Sequence, residues 1–334
     1  MSNIQTTRIG LIGLGNLGTA IGNLVAAKGF AVLGWEYNSA VVEEINRDHT
    51  NSRYLPGIPL EPALAATTDI SAVLESCRIV FIALPSAFIN STLQPVRQAA
   101  QADGILVNMA KGIDGETGLT AYQTLTALFP SHRRVMLSGP TIANEFARGM
   151  PTVVVLAGEN RADLMAVSQV LDTRHFRTRF SEDAIGVELG GLLKNIYAIG
   201  LGIFDGKEIT SVNFRAAYLT IALEEMSRIG VALGGQRETF AYLAGLGDLL
   251  ATSLSGESHN RRMGMLLSQG LAAQQIKETM GVLPEGYNTL KVILNIAEKL
   301  HVSLPLAKAL WDVIHGRLDA ERFIYSFIRD FVEE

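Results

Sequence analysis

Over residues 187–206, VELGGLLKNIYAIGLGIFDG, apolar or small side chains occupy most of the circumference of a 3.6-residue repeat. That pattern predicts one helix, buried as the spine of a domain. Its only cation is Lys194, followed by Asn195. An ammonium among Leu192, Leu193, Ile196 and Ile199 must snorkel to solvent, find a partner, or sit in a lined site. The pair Gly190-Gly191 weakens such a helix by roughly 1 kcal/mol per residue relative to alanine. The cost makes sense where another backbone or a ligand passes close by.

Upstream of this helix the pattern alternates short β runs with helical stretches. The runs expected to be strands are 8–12, 31–35, 78–84, 105–109, 135–138, 152–156 and 176–180. Helices are expected from the glycines at 13–18 to about residue 28, at 142–148 and at 163–171. Downstream the chain reads as long helices, at 214–229, 237–246, 271–279, 288–299, 304–315 and 320–332, with Pro284-Glu285-Gly286 as a loop. Eight of the ten prolines lie at or before Pro151, which sharpens the contrast between the halves. The expected fold class is α/β: a Rossmann-type parallel sheet domain over 1–182, then an all-helical domain over 183–334. A chain of 334 residues accommodates two such cores.

Composition narrows the classes of function. The chain is 48% hydrophobic and 18% charged, and its net charge of −5 gives no reason to expect nucleic acid or an anionic membrane as partner. Cys77 is the only cysteine, so no intramolecular disulfide forms and a reducing compartment is expected. The start, MSNIQTTRIGLIG, lacks the layout of a secretory signal, and no window offers eighteen uninterrupted apolar residues. A cytoplasmic protein with no membrane span is the expectation.

Several short motifs then carry chemistry. Gly13-Leu14-Gly15-Asn16-Leu17-Gly18 lies between an expected strand and an expected helix, the context that a dinucleotide-binding turn requires. Gly13 permits the tight turn, Gly15 lets a pyrophosphate approach the backbone, and Gly18 allows close packing of helix on strand. The helix start adds N–H groups and a positive dipole end. Glu36 follows the second strand, where a carboxylate accepts hydrogen bonds from ribose hydroxyls and repels a 2′-phosphate. No arginine stands at 36–38, so NAD is expected rather than NADP; the alternative is that Glu36 is a solvated strand end. Lys111 follows the strand at 105–109, where open parallel sheets bind ligands, or else it is an ordinary surface cation. Asp248, in Gly247-Asp248, either caps a helix or holds a lysine ammonium, and only the second option also accounts for Lys194. Ser258-His259-Asn260-Arg261-Arg262 is either an anion-binding cluster or a surface basic pair. The six histidines show no metal-ligand spacing, and no metal is expected.

Taken together, these residues resemble the bacterial NAD(P)-dependent sn-glycerol-3-phosphate dehydrogenases over nearly the whole chain. The similarity rests on the glycine turn, RYLPGI at 53–58, AKGI at 110–113, SGPTIANE at 138–145 and GVELGGLLKN at 186–195. LAGLGDLLAT at 243–252, NRR at 260–262 and PEG at 284–286 complete it. The resemblance implies that Lys194 is the general acid/base and Asp248 the acid that orients it. It implies substrate contacts at Lys111, Gly139, Thr141, Ser258 and Asn260, with Thr252 close by, and cofactor contacts at Asn16, Leu17, Lys111, Ala143, Leu283 and Glu285. The chain departs from the family pattern in three places. Asn16-Leu17 replaces Ser-Trp, Glu36-Tyr37 stands where NADP-preferring members carry arginine, and Ser258-His259-Asn260 replaces Ser-Arg-Asn. Histidine offers a shorter and partly neutral grip on a phosphate, and Arg261 is the expected compensation.

The function expected is reversible hydride transfer between nicotinamide and dihydroxyacetone phosphate, with a small phosphorylated ketone or alcohol as substrate and a homodimer as the assembly considered. One rival is a related ketone or hydroxyacid reductase on the same two-domain plan. Another is a non-catalytic regulator that binds NADH.

Overall fold

The computed structural model describes residues 8–256 and 258–330, which divide into two compact units. Of these, 8–110 and 120–184 form the first unit, and the second joins 111–119 to the residues from 185 onward. The division is therefore not a single boundary near 182: a short segment beginning at Lys111 belongs with the helices, where Ile113 packs in their core.

The first unit runs β1 (Ile9–Ile12), α1 (Asn16–Ala27), β2 (Val32–Trp35), α2 (Ser39–Asp48), β3 (Leu64–Thr67), α3 (Ile70–Ser76), β4 (Ile79–Ile82), α4 (Ser86–Leu93) and β5 (Ile105–Asn108). After the excursion at 111–119 it continues as α5 (Ala121–Leu128), β6 (Arg133–Ser138), α6 (Ala143–Phe146), β7 (Thr152–Ala157), α7 (Arg161–Leu171) and β8 (Phe176–Ser181). The eight strands form one sheet in the order β3-β2-β1-β4-β5-β6-β7-β8. β1, β4 and β5 lie inside it and are buried at every position, so they read as unbroken apolar runs. β3 (LAAT) lies at one edge, short and made of small residues, and it carries too little apolar signal to stand out in the sequence. The sheet departs from the expected all-parallel arrangement between β6 and β7. These pair antiparallel, Leu137 opposite Leu156, because the chain turns back through 139–151 without crossing over the sheet.

The second unit is helical: α8 (Ala184–Gly206), α9 (Val212–Ala232), α10 (Arg237–Phe240), α11 (Asp248–Leu254), α12 (His259–Ser268), α13 (Ala273–Met280), α14 (Glu285–Lys299), α15 (Pro305–Ile314) and α16 (Ala320–Asp330). By length and composition α8 is apolar enough to cross a bilayer, yet it is buried by the other helices along almost its whole length. It is a core helix. A Cβ on Gly190 would lie 2.7 Å from the Ala244 carbonyl oxygen, and one on Gly202 would collide with the Arg261 carbonyl. The glycines of α8 thus admit neighbouring backbones. The helix expected at 237–246 is broken: α10 ends at Phe240, and Leu243–Gly247 forms a single π-helical turn. Proteins place such turns where a side chain must be re-aimed. Pro284-Glu285-Gly286 is not a loop either, since Pro284 sits at the N-cap and Glu285 opens α14. Residues 331 and 332 of the expected last helix lie outside the described residues.

One buried carboxylate ties α8, α9 and α15 together. Glu225, 1% exposed, accepts hydrogen bonds from the Leu306 N–H (2.6 Å), the Ala307 N–H (3.0 Å) and the Tyr197 hydroxyl (2.9 Å). It thereby satisfies the first turn of α15 from outside the helix. Burial pushes its carboxyl up to about 7, although the hydrogen bonds and the nearby Arg228 pull the other way. An unfolded glutamate titrates near ~4.3. The folded chain therefore binds this proton more tightly than the unfolded chain, and the stability from this group falls as pH rises through that window, levelling above the folded value. Compared with Glu225→Gln, whose amide does not titrate, the wild type should lose roughly 2–3 kcal/mol of unfolding free energy between pH 5 and pH 8. Denaturant titrations of both proteins at the two pH values check this, and a wild-type-minus-variant difference unchanged by pH would refute it.

Candidate active site

Lys194 projects from the middle of α8, and the π-helical turn at Leu243–Gly247 delivers Asp248 to it. The Lys194 Nζ lies 2.9 Å from Asp248 Oδ1, and the Lys111 Nζ lies 2.6 Å from Asp248 Oδ2. Asp248 does not cap its helix through its side chain; it bridges two ammonium groups. The carboxylate side chain is 2% exposed and the two lysine side chains 12% and 13%, so the three charges face one another in a poorly hydrated place. Burial lowers the Lys111 ammonium from its ordinary value; Asp248 pulls it back up, while Lys194 lowers it further. Thr252 stands one helical turn beyond Asp248 on the same face of α11, and its Oγ1 accepts from Lys194 Nζ at 2.5 Å. An ammonium has three N–H donors. Among the described residues Asp248 and Thr252 engage two, which leaves a third.

The backbone of Lys111 is fixed by a relay of amides. Asn195 Nδ2 donates to the Lys111 carbonyl at 3.0 Å, and Asn260 Nδ2 donates to Asn195 Oδ1 at 3.1 Å. Asn260 Oδ1 in turn accepts from the Gly286 N–H at 3.0 Å. Both asparagines are buried. Glu285, beside Gly286, is near enough for its charge to raise Lys111, while Leu283 packs half-buried on the helical core. Sequence reasoning assigned no role to Asn195. Its signal was a second polar residue next to Lys194 on an otherwise apolar helix.

The structure corrects the reading of Arg261. Its Nε and Nη2 both bind Asp205 Oδ2, at 2.8 and 2.6 Å, and its Nη1 donates to the Ser253 carbonyl at 3.0 Å and to that of Ser255. Asp205 also holds Arg215 at 2.7 Å. A guanidinium so engaged, and only 13% exposed, does not stand in for the missing family arginine. What remains at that position is the exposed His259, first residue of α12, behind Ser258, whose Oγ caps the helix by accepting from the Arg261 N–H at 3.3 Å.

In the sheet unit, each glycine of the turn has a distinct physical reason. Gly13 sits at φ +97°, with the Ala83 carbonyl 2.8 Å from where a Cβ would be, and a Cβ on Gly18 would collide with the Gly13 carbonyl. A Cβ on Gly15 would meet nothing within 4 Å, so packing does not explain this glycine, whereas an approaching pyrophosphate does. Gly15 is the N-cap of α1, which has no side-chain cap and no acid in its first turn. Asn16 donates to the Tyr54 carbonyl (2.7 Å) and to Asn144 Oδ1 (3.0 Å), and Leu17 packs half-buried on the sheet core. Glu36 is not a solvated strand end: it is 3% exposed, accepts the Asn38 N–H at 3.2 Å, and burial raises its carboxyl. Gly139, at φ +100°, follows β6; its carbonyl accepts from Thr141 Oγ1 at 3.2 Å, and Ala143 opens α6. This donor-lined turn with an open Gly15 and an acid beyond β2 fits a dinucleotide.

Comparison with known proteins shows the family of the chain. Residues 8–164 match the family model described as NAD-dependent glycerol-3-phosphate dehydrogenase N-terminus, and residues 183–325 match the corresponding C-terminus model. A glycerol-3-phosphate dehydrogenase [NAD(P)+] of Carboxydothermus hydrogenoformans is 37% identical over 330 residues, 98% of this chain and 97% of the relative. Its counterpart from Clostridium tetani is 36% identical across 100% of this chain and 95% of its own length. The crystal structure of glycerol-3-phosphate dehydrogenase from Coxiella burnetii superposes with a TM-score of 0.90 at 32% identity, covering 97% of this chain and 99% of that one. The chain therefore belongs to the NAD-dependent glycerol-3-phosphate dehydrogenase family.

Proposed function

We propose that the chain interconverts dihydroxyacetone phosphate and sn-glycerol 3-phosphate with a nicotinamide dinucleotide, in the cytoplasm, where the buried lone thiol of Cys77 stays reduced. The observation that carries this reading is the Lys194–Asp248–Lys111 cluster on a chain of this family. When bound, the cofactor supplies or accepts the hydride at the carbon of the ketone or alcohol. The chain's own part is the proton. As the carbonyl oxygen gains negative charge, the third N–H of Lys194 delivers a proton to it, and Lys111 adds a second positive charge nearby. In the reverse direction neutral Lys194 takes the hydroxyl proton. Asp248 holds both ammonium groups in place, Thr252 aims Lys194, and Asn195 with Asn260 fixes the backbone of Lys111. In the sheet unit, the glycine turn, Glu36 and Ala143 are proposed to hold the cofactor and Gly139 and Thr141 to contact substrate. In the helical unit, taken by itself, Ser258, His259 and Asn260 are the proposed substrate contacts and Leu283 and Glu285 the proposed cofactor contacts.

The direct test is NADH oxidation on addition of dihydroxyacetone phosphate, with Lys194→Ala as the informative variant. Turnover should fall by roughly 10²-fold or more. NADH affinity should barely change, because the turn at 13–18 that would hold its pyrophosphate is built from other residues. A variant that kept most of its turnover number would remove Lys194 from the proton-transfer role.

A second expectation follows from the commitment of Arg261 to Asp205. His259 is left to meet the phosphate with one hydrogen bond at a time, where an arginine offers two in parallel. His259→Arg should lower KM for dihydroxyacetone phosphate several-fold and leave kcat nearly unchanged, the mark of added uniform binding. Steady-state kinetics on both proteins decide it; an unchanged KM would mean that this position does not face the phosphate.

A further inference from the structure

An arginine distant in sequence reaches the carboxyl end of β2. Residues 51–55 are clamped onto the glycine turn. Asn51, fully buried, donates from Nδ2 to the Leu14 carbonyl and to Thr19 Oγ1, both at 2.9 Å, and its Oδ1 accepts the Tyr54 N–H at 3.2 Å. Asn16 holds the Tyr54 carbonyl at 2.7 Å. The Glu36 carboxylate accepts from the Asn38 N–H at 3.2 Å, and the positive charge of Arg53 acts on it. The exposed Arg53 sets its guanidinium 5.3 Å from the centre of the Tyr54 ring.

In doubly wound folds the end of β2 is where the adenosine ribose lies: an acid there serves the 2′-hydroxyl, and a nearby arginine accommodates a 2′-phosphate. Here both residue types are present at once. Glu36 is sunk to 3% exposure, while Arg53 stands at the surface, near enough for its charge to act on that carboxyl. We infer that Arg53 is a specificity-determining residue that receives the adenosine 2′-phosphate, so that the chain binds NADPH as well as NADH despite the acid at position 36. The inference rests on the dinucleotide-binding reading and adds to it the residue that sets the choice between the two cofactors. Two further features act in the same direction. Burial raises the Glu36 carboxyl while Arg53 lowers it, and the positive charge of Arg53 offsets the negative charge that a phosphate would meet there. Tyr54 gives the guanidinium a flat surface on which to rest with its donors still facing outward.

The test is equilibrium binding. Purified full-length chain is titrated with NADPH, with NADH and with adenosine 2′,5′-bisphosphate, for the wild type and for Arg53→Gln, Arg53→Lys and Arg47→Gln. Arg47 is a surface arginine of α2 paired with Asp48, and its variant controls for loss of one positive charge. Arg53→Gln should weaken NADPH and the bisphosphate on the order of ten-fold and NADH by less than about two-fold. Arg53→Lys should recover part of the loss, since an ammonium keeps the charge but lacks the fork. Arg47→Gln should bind as the wild type does. Equal weakening of NADPH and NADH, or undiminished NADPH binding in Arg53→Gln, would overturn the role of Arg53 and leave the dehydrogenase reading intact. A wild type that bound neither dinucleotide would overturn both.

Discussion

Asp248 is shared by two ammonium groups, and the local structure around it follows from that arrangement. A carboxylate that is 2% exposed loses several kcal/mol of hydration, and in most settings such a group is better replaced by an apolar one. Here the loss is offset by two close cations, at 2.6 and 2.9 Å, each of which needs the same counter-charge for its own burial. The backbone bends to make this possible. A π-helical turn replaces regular helix before Asp248, and its Ala244 carbonyl crosses α8 at Gly190, where any side chain would block it. The helix-weakening glycine and the interrupted helix are thus two ends of one constraint.

The same unit buries a second carboxylate to different effect. Glu225 is surrounded by two backbone N–H groups and a tyrosine hydroxyl, with Arg228 as the cation that acts on it, and it organises the start of α15. Asp248 has ammonium groups where Glu225 has neutral donors. One environment serves architecture and the other is the one proposed for proton transfer, and α8 supplies a residue to each: Tyr197 to the first and Lys194 to the second.

Much of this was legible in the sequence wherever a local pattern carried it. The glycine turn, the inner strands and the long helices all follow from periodicity within a dozen or so residues. Lys194 was conspicuous because a cation on an apolar helix needs a reason. What stayed hidden depends on partners far apart in the chain. Asn195 gains its meaning from Lys111 and Asn260, and Arg53 from Glu36 and Tyr54. Arg261 was misjudged because nothing beside it in the sequence announces Asp205 as its partner. β3 has too few bulky residues to register, and the direction of β7 is set by the turn-back at 139–151 rather than by its own side chains. Of the helix Glu285–Lys299 the sequence pattern predicts only 288–299, with 284–286 as a loop, because Pro284 and Gly286 are turn residues by composition, yet proline is also at home at a helix start.

In the proposed function Asp248 holds Lys194 as the proton donor with Lys111 as a second positive charge beside it, and Asp248→Asn tests this with least change of shape. The measurement is kcat for dihydroxyacetone phosphate reduction as a function of pH, in wild type and variant. Without the carboxylate, the Lys111 ammonium, already lowered by burial and by Lys194, loses the charge that pulls it back up, and two cations face each other in a poorly hydrated place. The account predicts a loss of roughly 10²-fold or more near neutral pH, together with a basic limb displaced to lower pH. A variant within about two-fold of wild-type kcat, with its basic limb unmoved, would contradict it.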